Sequence, residues 1–134
     1  MGTYTEAFEQ YGARLTNPRW SVSAISDRGE LVVSMWEHAF RRGGIYEDRI
    51  EDWKGNKQGQ RELVEHLQRA LQEGLAIRAV FVTALDSRQE AQLDQGEITG
   101  DAVKKDVFTR PDLVGRVTAF DGNRFVLEFR RRQS

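Results

Sequence analysis

Cysteine is absent from the 134-residue chain. Its absence excludes disulfides, thiolate metal ligands and cysteine nucleophiles together, and it is typical of proteins kept in a reducing compartment. The chain also lacks a long hydrophobic run, since no apolar stretch approaches the roughly 20 residues that a membrane span requires. Its first residues, Met1 to Gln10, are polar and acidic, unlike a signal peptide. We therefore predict a soluble cytoplasmic protein with no membrane contact.

Histidine is scarce, with only His38 and His66 in the chain. Two histidines without cysteine fall short of the ligand set of a structural zinc site, so we expect no metal and no cofactor. A Ser-His-Asp arrangement stays open, but nothing in the sequence marks one serine as activated. We therefore predict no catalytic residue and favour a non-enzymatic protein over an enzyme.

A large excess of charge of one sign is also missing. The formal net charge is −1, which argues against a general polyanion binder held mainly by counterion release. The charge is nevertheless uneven. Residues 103–134 contain eight Lys or Arg against four acids, and residues 86–101 contain five acids and one Arg. This distribution predicts a basic face beside an acidic loop, with residues 131–134 as a flexible basic tail.

Hydrophobic residues make up 39% of the chain and include seven Phe and three Trp, enough to build the core of a single domain over residues 1–134. Apolar side chains at helical spacing predict one helix over residues 4–15 and a second from about Lys57 to Glu73. Asn56 is the expected N-cap of the second helix and Gly74 its left-handed stop.

Period-two patterns and apolar runs predict the strands. They fall at residues 20–26, 31–36, 75–85, 103–108, 114–120 and 124–130, with a short additional strand at 45–49. Residues 86–101 are polar and predict a long exposed loop. The order of elements predicts an α+β fold, in which a curved mixed or mainly antiparallel sheet of five to six strands forms a half-open barrel flanked by two helices.

The richest local pattern is the stretch from Trp53 to Gly59, which leads directly into the second predicted helix. The free N–H groups and dipole of a helix N-terminus favour anions. We expect lysines and arginines to hold phosphates there and an aromatic ring to stack on a base. The predicted nucleic-acid-binding residues are Arg41, Arg42, Tyr46, Trp53, Lys54, Gly55, Asn56, Lys57 and Gly59. The alternative is a tight turn with a capped helix.

One enzymatic motif stays open. Asp52 and Lys54 have the D-x-K spacing of the PD-(D/E)xK nucleases, in which carboxylates bind a metal ion and lysine steadies the attacking water. In those enzymes the motif lies on a strand beside another acid. The alternative is an acidic loop in water.

The predicted layout of curved sheet, flanking helices and long polar loop resembles that of the PUA-like readers of modified bases. This is a resemblance of layout, and a fold does not fix a function. Our first hypothesis rests on the residues and is a non-enzymatic nucleic-acid-binding module, in which the predicted lysines and arginines hold phosphates and Trp53 or Tyr46 stacks on a base. A second is a protein-binding adaptor or inhibitor of the kind carried by mobile elements, since an acidic loop over residues 86–101 can mimic nucleic acid. The third is a metal-dependent nuclease. The oligomeric state stays open.

Overall fold

A computed structural model describes residues 4–17, 19–41, 43–52, 56–84 and 105–131. They form an α+β fold, as predicted. The elements are α1 (Tyr4–Gln10), β1 (Ser23–Ile25), β2 (Leu31–Trp36), a 3-10 turn (Glu37–Ala39), β3 (Phe40–Arg41), β4 (Ile45–Arg49), a second 3-10 turn (Ile50–Asp52), α2 (Lys57–Glu73), β5 (Ile77–Ala84), β6 (Lys105–Thr109), β7 (Leu113–Phe120) and β8 (Arg124–Arg131). The predicted loop at 86–101 lies outside the described residues.

The first helix is shorter than predicted. It ends at Gln10 rather than near residue 15 because Gly12 adopts a left-handed backbone with φ of 76°. The N–H of Gly12 donates to the carbonyl of Glu9, and that of Ala13 donates to the carbonyl of Phe8. These two bonds form a Schellman motif, which ends a helix. Leu15 still reaches the same core from beyond the helix.

The second helix confirms its prediction at both ends. The side chain of Asn56 accepts a hydrogen bond from the Gly59 N–H at 3.0 Å, and Gly74 ends the helix in the left-handed region with φ of 66°. Leu63, Leu67 and Ala70 are buried along one face. The apolar stripe therefore packs against the sheet, as its helical spacing requires.

All eight strands belong to one mixed, open sheet. Its strand order is β1-β2-β5-β7-β8-β4-β3, with β6 paired to β5. Only the β2–β5 pair is parallel among these strands, and the remaining pairs are antiparallel. The count exceeds the predicted five to six because the short strand expected at 45–49 is present as β4 and because β3 was not predicted. β3 has two residues, too few for a periodic pattern, and β1 is shorter than the strand predicted over residues 20–26.

The sheet is strongly curved, although it does not close. Strands β3 and β5 are separated by three others, yet the rings of Phe40 and Phe81 lie with centroids 5.1 Å apart. Curling of this kind buries the inner face of the sheet on itself and on α2. The inward row of β8 is Phe125, Leu127 and Phe129.

Two cores lie on opposite faces of the sheet. The larger one joins α2 to the inner face. The smaller one joins α1 to the outer face of β1, β2, β5 and β6, through residues such as Phe8, Val32 and Val80. Strands β2 and β5 are therefore buried on both faces, and both lie in the interior of the sheet. The outer faces of β7, β8 and β4 carry exposed polar side chains instead.

Candidate nucleic-acid interface

The start of α2 shows how two of the predicted site residues are used. The Asn56 side chain accepts from Gly59 N–H and donates to the Trp20 carbonyl, both at 3.0 Å. Gly59 is buried, and a Cβ added there would lie 2.5 Å from the same Trp20 oxygen. Both residues therefore serve the helix cap and its packing. Lys57 is exposed. Trp53, Lys54 and Gly55 lie outside the described residues.

Arg41 and the start of α2 lie at opposite ends of β4. Arg41 pairs with Ile45, the first residue of that strand. Ile50, which follows its last residue, lies beside Gln60 and Val64 in the first turns of α2. The structure therefore does not bring Arg41 together with Lys57. Arg42 lies outside the described residues.

Tyr46 was predicted to stack on a base, and the structure contradicts this. Its side chain is 0% exposed and belongs to the inner core. Its hydroxyl donates to Asp48 Oδ2 at 2.9 Å. The reason is its parity in the strand: Tyr46 pairs with Leu127, which also points into the core. A ring in this position offers no face to a ligand.

A different group of cations lies on one surface of the sheet. The outward side chains of β3, β4, β7 and β8 include five arginines and two glutamates. We call this surface the arginine face, and its charged members are Arg41, Arg49, Arg116, Arg124, Arg130, Glu47 and Glu128. Its arginines outnumber its acids although the whole chain has a net charge of −1.

The strand register fixes the arrangement of the arginine face. Arg116 pairs with Glu128, which in turn pairs with Ile45 on the next strand. At the end of the face where β4 ends and β8 begins, Arg49 and Arg124 are direct partners. Like charges directly opposite each other destabilise a sheet. Glu47 and Glu51 offset this repulsion, because each of them forms an ion pair with one of the two arginines.

The positive charge at the end of the face that holds Arg49 and Arg124 is partly neutralised. Glu47 forms ion pairs with Arg124 and, at 3.7 Å, with Arg41. The hydrogen bond from Arg124 is the main reason why the pKa of Glu47 lies below its ordinary value. Arg49 reaches Glu51 at 3.5 Å. These exposed pairs are weak and leave a surplus of positive charge.

The positive charge at the other end of the face, which holds Arg116 and Arg130, is not neutralised by ion pairs in this way. Neither Arg116 nor Arg130 forms an ion pair with a carboxylate in the part of the chain that the structure describes, although Glu128 lies between them. Arg116 Nη1 donates to the carbonyl of Gly115 at 3.3 Å. Arg116, Glu128 and Arg130 line a surface depression together with Val114 and Thr118. The guanidinium groups of Arg116 and Arg130 are thus both exposed to solvent in one surface depression.

A buried hydrogen bond elsewhere joins a serine to a histidine. Ser23 Oγ lies 2.7 Å from His66 Nδ1 between β1 and α2. Ser23 is 0% exposed, and burial is the main reason why the pKa of His66 lies below its ordinary value. A neutral imidazole accepting from a hydroxyl satisfies both groups inside the protein. We assign this pair a packing role, because no substrate can reach the serine.

No group of three or more His, Asp or Glu among the described residues is placed to hold a metal ion. The Asp52 side chain and Lys54 lie outside those residues, so the nuclease motif stays a prediction. None of the described helices is long and apolar enough to cross a membrane.

Sequence reasoning missed four of the five arginines of the face. Arg49, Arg116, Arg124 and Arg130 were not among the predicted site residues, although the surplus of cations after residue 103 was noted. The sequence signal that could have identified some of them is the alternation of apolar and charged residues along β8. In β8, Arg124 and Arg130 fall out of phase with the inward residues Phe125, Leu127 and Phe129, which places them on the opposite face.

Comparison with known proteins gives no match: no family model, no curated protein and no solved structure is similar to this chain. The resemblance of layout to PUA-like domains therefore stays a hypothesis.

Proposed function

We propose that this chain is a nucleic-acid-binding module that contacts phosphates through the arginine face. The observation that carries the proposal is the pair Arg116 and Arg130, which lie in one depression without an ion pair to a described carboxylate. Guanidinium groups present planar, forked N–H donors that match phosphate oxygens in geometry and charge. An exposed pair that forms no ion pair with a described carboxylate is therefore suited to a phosphate.

The location of the cations supports the proposal more than their number does. Over the whole chain the positive and negative charges nearly cancel, which leaves a net charge of −1. Local excess is what a polyanion senses, because exposed charges separated by more than about 8–10 Å are largely screened at physiological salt. The arginine face concentrates its excess on one side of the sheet, where no described helix packs.

The test is direct binding to a labelled 20-base-pair DNA duplex at low salt, followed by fluorescence anisotropy. The double variant Arg116→Ala/Arg130→Ala is expected to bind roughly tenfold or more weakly than the unchanged protein. Arg28→Ala removes an exposed arginine in the β1–β2 turn and is the matched control. It should bind as the unchanged protein does. Equal losses in both variants, or no binding by the unchanged protein, would reject the proposal.

Contact at the start of α2 stays a separate prediction. Only Lys57 remains as a described, exposed cation among the residues predicted there. Lys57→Ala in the same assay separates the two surfaces, since a loss comparable to that of the double variant would move the interface to α2. The adaptor hypothesis depends on residues 86–101, which the structure does not describe.

A further inference from the structure

We infer that the arginine face binds the phosphate backbone of a duplex, without stacking on bases and without reading their sequence. This inference rests on the proposed function and narrows its ligand class. It follows from three features of the face: the side chains between its arginines, the spacing of those arginines, and the position of β8 within the sheet.

The first feature is the lack of aromatic rings among the described side chains of the face. The neutral positions between its charges are Ile45, Val114, Thr118 and Val126. The aromatic residues of the same strands, Tyr46, Phe125 and Phe129, belong to the inner core. Modules that hold single strands rely on exposed rings, each worth roughly 1–3 kcal/mol per stacked base. The arginine face offers no such platform.

The second feature is the fixed spacing of the cations. Arg124 and Arg130 lie on the same side of one strand, six residues apart in the sequence, which corresponds to about 20 Å at the rise of a β-strand. Each end is reinforced from a neighbouring strand, by Arg49 at one end and Arg116 at the other. A duplex holds its phosphates at regular positions, whereas a flexible single strand must first be ordered at an entropic cost. Fixed cations therefore favour the rigid ligand.

The third feature excludes deep entry into a groove. A two-stranded β-ribbon can enter the major groove and read base edges there. In this sheet β8 is an interior strand, because β7 pairs with one of its edges and β4 with the other. A broad multi-stranded surface lies across the phosphate ridges instead. Phosphate contacts position a protein but carry no direct sequence information.

The experiment compares three labelled ligands of equal length: a DNA duplex, a second duplex of scrambled sequence, and one strand of the first duplex. We expect the two duplexes to bind within about twofold of each other, and the single strand to bind at least roughly tenfold more weakly. The Arg116→Ala/Arg130→Ala variant should lose most of its preference for the duplex. Arg28→Ala should retain that preference.

The outcomes separate this inference from the proposed function. Equal or tighter binding of the single strand, with a loss in the double variant, would overturn the inference and leave the proposed function standing. A large difference between the two duplexes would overturn the sequence independence. Failure to bind any of the three ligands, including a case in which only anionic lipid vesicles bind, would overturn both.

Discussion

The outer face of the sheet has two halves that treat arginine in opposite ways. Over β1, β2, β5 and β6 the face lies under α1, and its one buried arginine, Arg78, is 4% exposed. Over β7, β8 and β4 the same face carries arginines such as Arg130 that are exposed. Residues Ile77 and Gly115 pair where the halves meet, so the sheet is continuous across the boundary.

The buried arginine is surrounded by partners. Arg78 Nη2 donates to the Pro111 carbonyl at 2.7 Å, Nη1 lies 3.5 Å from Glu30 Oε2, and the guanidinium carbon lies 4.9 Å from the centre of the Tyr11 ring. Its Nε is buried without a partner among the described groups. A buried charge requires such compensation, since an unpaired one is very costly. Arg78 therefore has a structural role.

The contrast separates an arginine with a structural role from arginines that we propose to bind phosphate. Arg78 holds the segment between β6 and β7 in place, because its guanidinium donates to the carbonyl of Pro111 in that segment. Strands β6 and β7 on either side both pair with β5. Arg116 and Arg130 hold no comparable contacts among the described residues, so we expect their substitution to change stability little. Substitution in the covered half should therefore affect folding, and substitution in the exposed half should affect binding.

The largest expected effect is on the covered half. Phe8 is 0% exposed and packs α1 onto the sheet. Phe8→Ala should lower the free energy of unfolding by about 3–5 kcal/mol, because it removes a buried ring and leaves a cavity. Val114→Ala, on the exposed half, should cost less than about 1 kcal/mol. Urea unfolding of both variants checks this, and similar losses would contradict the division into two halves.

The second comparison uses one glutamate from each half. Glu30→Ala leaves the Arg78 guanidinium, 5% exposed, without its carboxylate, and should cost about 3 kcal/mol. Glu128→Ala removes a carboxylate from the arginine face. It should leave stability within about 0.5 kcal/mol and tighten binding to a duplex.

Thermal or urea unfolding and anisotropy are measured on the same preparations of these two variants. Weaker duplex binding by Glu128→Ala would contradict the assigned location of the interface.

A third prediction separates the helix cap from the interface. Asn56→Ala removes the side chain that accepts from Gly59 N–H and should cost about 1 kcal/mol, the usual value for a lost N-cap. Asn56→Ser keeps a capping oxygen and should cost less. Neither variant should change duplex affinity at a temperature where both are folded. A loss of affinity in Asn56→Ala alone would return the interface to the start of α2.

The smallest effect concerns pH. Burial lowers the pKa of His66 in the folded protein, so the unfolded chain takes up its proton first as pH falls below the ordinary value near 6.5. The stability that neutral His66 provides is complete above that pH and is lost as pH falls through the lower folded pKa. Urea unfolding at pH 7.5 and 5.5 should show a decrease that is smaller in His66→Asn. An equal decrease in both proteins would contradict it.

Much of the fold could be predicted from local patterns. The stripe and caps of α2, the run at β2 and the alternation in β8 each determine one element, and their bounds agree closely with the structure. The end of α1 could not be predicted as well, because apolar Tyr11 and Leu15 continue the helical spacing beyond Gln10. Two-residue β3 has no pattern of its own and forms only through pairing with β4.

The candidate site was less predictable because it combines strands that are distant in the chain. Arg49 and Arg124 are partners across two strands, and no local spacing links them. The stretch before α2 was predicted as a binding site because its charged, aromatic and glycine residues are adjacent in sequence. In the structure Asn56 and Gly59 are used for the cap.

The central claim is that Arg116 and Arg130 contact phosphates, and the salt dependence of duplex binding tests it most directly. The slope of log K against log salt concentration is about −0.9 for each phosphate contact to a duplex. The Arg116→Ala/Arg130→Ala variant should therefore have a slope shallower by about 1.8 than the unchanged protein, while Arg28→Ala keeps the original slope. Parallel lines for the double variant and the unchanged protein would contradict the account.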